Sequence, residues 1–527
     1  MKLHLHLHLH LLLSLVQLEL RLRLRRLSTV LVLLLVAAGT WAMILDPKTG
    51  AAMMVVNGTR TAYNSAALAL GSATLSAMLL GFVGFYLVRG RVREDLRQGL
   101  ASVIASTPVS SAWFLLGRWL GNVAYLSLIG SVVMLTIMLK QALIGVGAIQ
   151  PLLYLQSYAL MLLPLIFFCS SCALLFDSFV PLMGKFGDLL YFIVWCVVLV
   201  AQGEAGRAIS TDGSAIMLFD FFGMSSIMLI LLHHFGTTAI ALGGGPFNPA
   251  MTPLLLPDAL WWSLPIYYRL ACGAVALTPL VPALLLFHRY SGDKLKPSLS
   301  NSRRSPLQWL NQALRPLAAL ARPVFALATR VPGLGGQLIA ELALSLASAP
   351  AAILALLLMP LLALAAPAAS LSGLMLVATL VWLLWIADIA SRDYQADTEH
   401  LVHATRGGAT SRYLRHLATP ILLGWLLLLP IGLPLFASQP TSLLALLVGI
   451  CSLAAAATLL GRCTGSARSF LALSLFWLYV AINANDVAWI DLLGFNGAAD
   501  SASITQHALI TLALLVTGYA HTIRRAR

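Results

Sequence analysis

Two short segments of the sequence place carboxylates beside arginines, although charged residues are scarce elsewhere. They contribute Arg93, Glu94, Asp95, Arg97, Asp393, Asp397 and Glu399. Acids and arginines interleaved in this way can form salt bridges with complementary charges on a partner protein and fix its register. We interpret both as docking segments for a partner protein.

Other side chains with reactive chemistry lie in apolar surroundings. Cys169 and Cys172 have a spacing that could hold a metal or form a redox pair, but no second pair accompanies them, and helix packing is the interpretation we favour. Histidine alternates with leucine over residues 4–10, which could present imidazoles to a metal or be a low-complexity tract at a membrane surface. We expect no metal site.

The composition predicts a membrane protein. Of the 527 residues, 60% are hydrophobic and only 10% are charged, and the mean hydropathy is +0.89. Globular chains have about 25% charged residues. The scarcity of charge excludes a soluble enzyme, a disordered scaffold and a nucleic-acid-binding domain, despite a net charge of +14.

Apolar runs predict an all-α polytopic protein with about twelve transmembrane helices, since a span needs about 20 apolar residues. The predicted spans are 28–45, 65–88, 114–139, 152–176, 188–203, 264–287, 349–366, 370–390, 416–436, 441–461, 468–485 and 505–522. They form two six-helix repeats, 28–290 and 341–527, joined by a cytoplasmic linker and interfacial segment at 291–340. An interfacial segment, 1–27, precedes them. Lysine and arginine concentrate on one side, which places both termini in the cytoplasm.

The two halves show weak internal similarity. Each has an acid shortly before its first span, Glu19 (followed by Arg21) in one and Glu341 in the other. Each also has its largest polar inner loop between spans two and three. Aligning Arg93-Glu94 with Arg392-Asp393 places Gly407 opposite Pro108 without a gap. We infer a duplicated fold whose halves face the same way.

The first of these inner loops has the spacing of an amphipathic helix. Val92 and Ile104 belong to an apolar face, and Asp95 falls on the opposite, polar face. Pro108 ends the helix. Such a segment, attached to two spans, can either lie on the membrane as a solvated face or transmit force from a soluble partner, and its recurrence in both halves favours the second interpretation.

The segment from Arg93 to Arg118 resembles the loop between spans two and three in the membrane subunits of ABC-2 type exporters. The shared pattern is an acidic residue, a small residue, an apolar pair, Pro108 and then Leu116-Gly117-Arg118. The stretch around Glu19 is similar to the interfacial helix of that family. The second half departs from the pattern, because Gly407 replaces the proline and Leu414-Arg415 replaces Leu-Gly.

The resemblance implies a permease that exports a hydrophobic or amphipathic cargo and lies, surrounded by lipid, in the bacterial inner membrane. Its partner would be a cytoplasmic ABC ATPase, in two copies, which binds ATP and Mg. The chain itself would bind no cofactor and would not be an enzyme, because it lacks the Gly-x-x-x-x-Gly-Lys-Ser/Thr loop that holds nucleotide phosphates. No nucleic acid partner is expected.

A long outer loop precedes the sixth predicted span and carries Asp220, His233 and His234. It suggests half-inserted helices that act as a gate or partner contact, or simply a cap that seals the bundle. Arg118 and Arg269 lie near the ends of spans three and six, where we expect them to snorkel as anchors.

Two other functions remain open. An ATP-independent secondary transporter also uses repeats, but it normally needs ion-coupling carboxylates or broken helices at mid-depth, and no span has a convincing one. A membrane-embedded lipid-modifying enzyme would need an interfacial constellation, for which Glu399 with His400 and His403 is the only hint. Exposed polar residues explain those three equally well.

Overall fold

The chain divides into two compact units. Unit 1 comprises Met1–Met183 and Leu189–Arg303, and unit 2 comprises Gly184–Asp188 and Arg304–Arg527. The division between Arg303 and Arg304 falls inside the predicted linker. The computed structural model describes residues 2–25, 27–46, 50–97, 100–107, 109–287, 305–396, 398–399, 401, 408–437, 439–484 and 487–526.

Helices form most of the part of the chain before residue 304. They are α1 (Lys2–Leu24), α2 (Leu27–Met43), α3 (Ser65–Val88), α4 (Arg91–Arg97), α5 (Leu100–Ser106), α6 (Ser111–Ile144), α7 (Pro151–Ser178), α8 (Lys185–Arg207), α9 (Met224–Phe235), α10 (Ser263–Val275) and α11 (Leu280–Leu286). Side-chain caps fix two starts, because Asn64 accepts from the Ala67 amide before α3 and Ser110 from the Trp113 amide before α6.

A three-stranded antiparallel sheet in unit 1 departs from the all-α prediction. Its strands are β1 (Ala51–Val56), β2 (Thr59–Arg60) and β3 (Ile240–Pro246), in the order β2-β1-β3. Asn57 and Gly58 both have positive φ and form the two-residue turn that joins β1 to β2. The sheet therefore ties the segment after α2 to the long loop before α10.

In unit 2, the described residues form helices joined by turns and contain no strand. Its helices are α12 (Pro306–Ala313), α13 (Arg322–Arg330), α14 (Gly333–Ser348), α15 (Pro350–Ala365), α16 (Ala368–Ile386), α17 (Arg392–Gln395), α18 (Gly408–Leu435), α19 (Pro440–Thr464), α20 (Arg468–Asn483) and α21 (Ser501–Ala526). Short 3₁₀ turns at Arg315–Ala321 and Ile389–Ser391 connect neighbouring helices.

Nine helices among the described residues are long and apolar enough to cross a membrane. They coincide with nine of the twelve predicted runs, which confirms a polytopic helical protein. Two further runs, 28–45 and 349–366, belong to bent helix pairs, and counting each pair as one span gives eleven. The twelfth run corresponds to α20, whose 16 residues are too short to be counted.

The core of each unit forms where the most apolar helices meet. In unit 1, α3 packs against α7, and α1 and α2 pack against α6. In unit 2, α19 packs against α18 and α21, and α16 packs against α18. Buried aromatic residues such as Phe85 and Trp382 fill these contacts. The helices thereby hold the polar segments at their ends in defined places.

Candidate functional site: two arginine–carboxylate clusters

Glu19 on α1 lies among three arginines of unit 1. Its Oε2 atom is 3.0 Å from Arg91 Nη2 and 3.8 Å from Arg23 Nε, and its Oε1 atom is 3.8 Å from Arg118 Nε. The Glu19 side chain is only 12% exposed. Because Arg91 is on α4 and Arg118 is on α6, this one carboxylate links three helices.

Two glycines allow α1 to approach α6 so closely. A Cβ atom on Gly117 would lie 2.8 Å from Leu15 Cδ1, and one on Gly121 would lie 2.9 Å from Glu19 Cβ. The two glycines are four residues apart and so share one face of α6, as in the small-xxx-small pattern of membrane helix pairs. Any side chain there would push Glu19 away from Arg118.

Asp95 is paired with Arg118 and is buried. The Arg118 Nη2 atom contacts Asp95 Oδ2, and the two residues are each 7% exposed. The Arg118 guanidinium also lies 4.6 Å from the centre of the Phe114 ring. Two predictions are therefore wrong: Asp95 does not face away from the buried Val92, and Arg118 does not snorkel towards water. The reason is that each charge finds its partner inside the protein.

We name Glu19, Arg23, Arg91, Asp95 and Arg118 the first ion-pair cluster. Its margins are also bonded. Arg23 Nη2 donates to Asn122 Oδ1 at 2.5 Å, and Arg91 Nη1 lies 3.0 Å from Glu94 Oε2. The cluster is thus a continuous network through α1, α4 and α6.

The turn before α4 is fastened to the end of α7. Asp177 Oδ2 accepts from the Gly90 amide at 2.7 Å, and Asp177 Oδ1 lies 3.9 Å from Arg89 Nε. Gly90 has a φ of +91°, which a residue with a side chain rarely adopts. Asp177 therefore holds the glycine turn from which α4 and Arg91 emerge.

Unit 2 contains a second ion-pair cluster, made of Glu341, Arg392, Asp393, Glu399 and Arg412. Glu341 Oε1 on α14 is 3.8 Å from Arg392 Nη1. Asp393 Oδ2 is 2.7 Å from Arg412 Nε, and Glu399 Oε1 is 3.3 Å from Arg412 Nη1. Arg412 lies on α18 and is almost completely buried. This network likewise connects three separate segments.

The two clusters are built on the same plan. In each, an acid on the first helix pairs with an arginine just after the second span, as Glu19 does with Arg91 and Glu341 with Arg392. In each, an acid in the following short helix pairs with an arginine early in the third span. The contacts match Arg91 with Arg392, Asp95 with Asp393 and Arg118 with Arg412, which are 301, 298 and 294 residues apart. They therefore do not follow the single gap-free offset of 299 residues that the sequence alignment uses.

The predicted docking residues have different surroundings in the structure. Glu94 and Asp393 are partly exposed, at 30% and 24% of their side chains, and Glu399 is less so. Arg21 is exposed and outside the first ion-pair cluster. Arg93 and Arg97 belong to α4, but their side chains lie outside the described part of the structure, as do Pro108, Asp397 and Gly407 altogether.

Sequence reasoning selected the acids of the clusters and missed most of their bases. The five arginines that neutralise those acids are Arg23, Arg91, Arg118, Arg392 and Arg412. The sequence did contain a signal for these arginines. They lie at the ends of apolar runs, and Arg118 directly follows Gly117. A charge in a helix-packing motif indicates a buried partner and not a water-facing anchor.

Asp220, predicted as an outer-loop residue, is fully buried with Arg269. Arg269 Nη1 is 3.6 Å from Asp220 Oδ2, and the same oxygen accepts from the Ser226 amide at 2.8 Å and from Ser226 Oγ at 2.7 Å. Arg269 is therefore not a snorkelling anchor, because its charge is neutralised internally. Asp220 fixes the first turn of α9.

Arg269 also repairs a break in α7. Pro164 has no amide hydrogen, so the Leu160 carbonyl, four residues earlier, loses its helical partner. Arg269 Nε donates to Leu160 O at 2.8 Å, and Arg269 Nη2 donates to Met161 O at 2.8 Å. One side chain thus satisfies backbone groups that the proline leaves open and joins α10 to α7.

His233 and His234 end α9 beside Trp262. The His233 ring stacks on Trp262 with a centroid separation of 4.2 Å, and His234 approaches the same indole edge-on. Partial burial and then the neighbouring His233 lower the pKa of His234 below its usual 6.5. Among the described residues, no group of three or more His, Cys, Asp and Glu side chains could hold a metal ion.

Comparison with protein-family models, curated proteins and solved structures finds no match for this chain.

Proposed function

We propose that this chain is the membrane subunit of an ABC-2 type exporter with two six-span halves, which moves a hydrophobic or amphipathic cargo across the bacterial inner membrane. Separate cytoplasmic ABC ATPase subunits would supply the energy. The observation that carries the proposal is the recurrence of the ion-pair cluster at the same place in both units. A duplicated partner needs two equivalent contact points on the permease.

The geometry suits transmission of movement. A partner that displaces α4 would pull on Arg91 and Asp95, and these two residues are bonded to Glu19 on α1 and to Arg118 on α6. Ion pairs in poorly hydrated surroundings resist separation, because each charge left alone is costly. The short helix and the spans would therefore move together.

The two kinds of acid would have different roles. Glu94 and Asp393 have enough exposed surface to contact an ATPase directly. Asp95 is enclosed and would act inside the permease by coupling α4 to α6. Glu94 would thus serve contact and Asp95 transmission, whereas Asp393, which is partly exposed and also pairs with the buried Arg412, would serve both.

Contact is tested by co-purification with the ATPase. The Glu94→Lys and Asp393→Lys double variant should retain about tenfold less ATPase, since reversed charges at an interface oppose association. Glu204→Lys is the matched control, because Glu204 is an exposed carboxylate outside both clusters. Undiminished complex formation in the double variant would count against the docking role.

Transmission is tested by transport into proteoliposomes with and without the ATPase. The Glu19→Gln variant should still bind the ATPase but should lose most ATP-dependent transport. Transport that is equally fast without any ATPase would replace the proposal with the secondary-transporter alternative. Modification of lipid in the absence of transport would indicate the enzyme.

A further inference from the structure

Arg462 is a buried arginine that the two ion-pair clusters do not account for. It lies in the last turn of α19 and is 6% exposed. Its Nε and Nη1 atoms are enclosed and have no hydrogen-bond partner within the described part of the chain. Unsatisfied buried donors are rare in proteins, so each one calls for a specific explanation.

The nearest carboxylates are already shared by other arginines. Arg412 lies 2.7 Å from Asp393 and 3.3 Å from Glu399, and Arg525 Nη2 lies 3.9 Å from Glu399. Arg525 Nη1 donates to the Arg462 carbonyl at 3.0 Å, which brings the Arg525 side chain to the last turn of α19. Among the residues described, the three guanidinium groups of Arg412, Arg462 and Arg525 share two carboxylates, those of Asp393 and Glu399.

This excess of positive charge predicts an external anion. A guanidinium does not lose its proton in a protein, so burial cannot neutralise Arg462. Glu399 and Asp393 are close enough to act on Arg462, but Arg412 and Arg525 share them, and an enclosed charge that is only partly neutralised is destabilising. A phosphate group is the best match, because the planar guanidinium donors fit its oxygens in pairs.

The position favours a phosphate that belongs to a lipid. Arg462 and Arg525 lie near the ends of two helices long enough to span a membrane, α19 and α21. Exposed apolar side chains run along α21, including Leu509, Leu512 and Val516. Acyl chains can cover such a surface while the headgroup lies at the level of the terminal arginines.

We propose that Arg462, together with Arg412 and Arg525, binds the phosphate of an anionic phospholipid. The equivalent end of α7 in unit 1 carries Asp177, which pairs with Arg89 and binds the Gly90 amide. An acid at that position repels a phosphate.

The test is thermal unfolding of the purified full-length protein in neutral detergent, with phosphatidylglycerol added in increasing amounts. A ligand that binds only the folded state raises the midpoint as its concentration increases. Phosphatidylglycerol should raise the midpoint of the wild type, and phosphatidylcholine should not. In Arg462→Gln, the apparent affinity should be about tenfold weaker, as expected for a lost hydrogen bond to a charged group.

Two controls separate binding from a folding defect. Arg524→Gln removes an exposed arginine from the same helix end and should respond to phosphatidylglycerol like the wild type. Without lipid, Arg462→Gln should unfold at the same or a higher temperature than the wild type, because it removes an uncompensated charge. If Arg462→Gln does not fold, native mass spectrometry of the wild-type protein tests the proposal instead. We expect the wild type to retain phosphatidylglycerol in preference to phosphatidylcholine.

Several results would overturn the proposal. Equal responses of the wild type and Arg462→Gln to phosphatidylglycerol would show that Arg462 does not bind it. An equal midpoint increase with inorganic phosphate alone would assign the site to free phosphate. In a further outcome, the ATPase raises the unfolding midpoint of the wild type but not of Arg462→Gln, while phosphatidylglycerol raises neither. That result would assign the anion to a carboxylate of a partner protein.

Discussion

The first and second ion-pair clusters share a plan but distribute their charges differently. In the first, the branching residue is an acid, because Glu19 contacts three arginines. In the second, the acid of the first helix has fewer partners, because Glu341 contacts a single arginine, Arg392, within the described part of unit 2. A third-span arginine joins two acids in both clusters, since Arg118 contacts Glu19 and Asp95, and Arg412 contacts Asp393 and Glu399. The two clusters therefore differ in how many arginines the acid of the first helix holds.

A second contrast lies where the fourth span of each half ends. Both spans begin in the same way, with Gln150-Pro151 at α7 and Gln439-Pro440 at α19. Near the other end, α7 carries an acid, Asp177, and α19 carries a base, Arg462. The fourth spans therefore differ in the charge near this end, because Asp177 pairs with Arg89 in unit 1, whereas Arg462 lies beside Arg412 and Glu399 in unit 2.

The largest expected effect comes from removing the third-span arginines. Arg412→Met leaves two carboxylates without their shared partner, and Arg118→Met does the same to Asp95 and one side of Glu19. Each should lower the free energy of unfolding by about 3–5 kcal/mol. Equilibrium unfolding in mixed detergent micelles measures the change.

Arg207→Met serves as the control for both substitutions. Arg207 forms an ion pair with Glu204, but its side chain is 70% exposed, so its loss should cost less than about 1 kcal/mol. If Arg412→Met were as mild as this control, the pairs of the second cluster would be of the weak, solvated kind.

A smaller effect distinguishes the two acids of the first helices. Glu19→Gln should cost about 2–3 kcal/mol, because it leaves three enclosed guanidinium groups with less negative charge. Glu341→Gln should cost about 1 kcal/mol, since Glu341 Oε1 lies 3.8 Å from one arginine that also has Asp388. The same unfolding measurement on both variants ranks them, and equal losses would refute the larger role assigned to Glu19.

Asp177→Asn should produce a milder change. The amide oxygen can still accept from the Gly90 amide, but the charge opposite Arg89 is lost, so we expect a cost of about 1 kcal/mol. Asp177→Ala removes the acceptor as well and should cost about 1 kcal/mol more. A null effect of both substitutions would mean that Asp177 does not hold the Gly90 turn.

The smallest effect is expected outside the clusters, at His234. Its folded-state pKa is lowered, so the folded protein favours the neutral ring. The resulting stability is complete above the unfolded value of 6.5 and declines as the pH falls through the lowered pKa. Thermal unfolding from pH 8 to pH 5 should show a decline that His234→Gln reduces, and an identical profile in that variant would contradict the assignment.

The apolar pattern of the sequence was sufficient to locate the long helices. It was insufficient to predict the ion pairs that connect them. Runs such as 65–88 and 441–461 are apolar throughout, and hydropathy alone locates them. The acids Glu19, Asp95 and Asp393 were recognisable because carboxylates are rare here. Their partners were not, since pairing of Glu19 with Arg118 depends on how closely α1 approaches α6.

The small sheet was missed for a different reason. Asn57-Gly58 after the β-prone stretch Met53–Val56 is a recognised hairpin signal, so β1 and β2 could have been predicted. The third strand, Ile240–Pro246, contains three consecutive glycines and has little strand propensity of its own. It pairs with β1 only because the fold brings the two loops together.

The contact of Arg269 with the carbonyls before Pro164 has a mechanical consequence. A proline in mid-helix ordinarily creates a pivot, because one rung of the hydrogen-bond ladder is absent. Here a side chain from α10 supplies that rung, so flexing at this point would first have to withdraw a guanidinium that Asp220 also holds. The proline position in α7 is therefore braced against bending, and we expect unit 1 to bend at other positions.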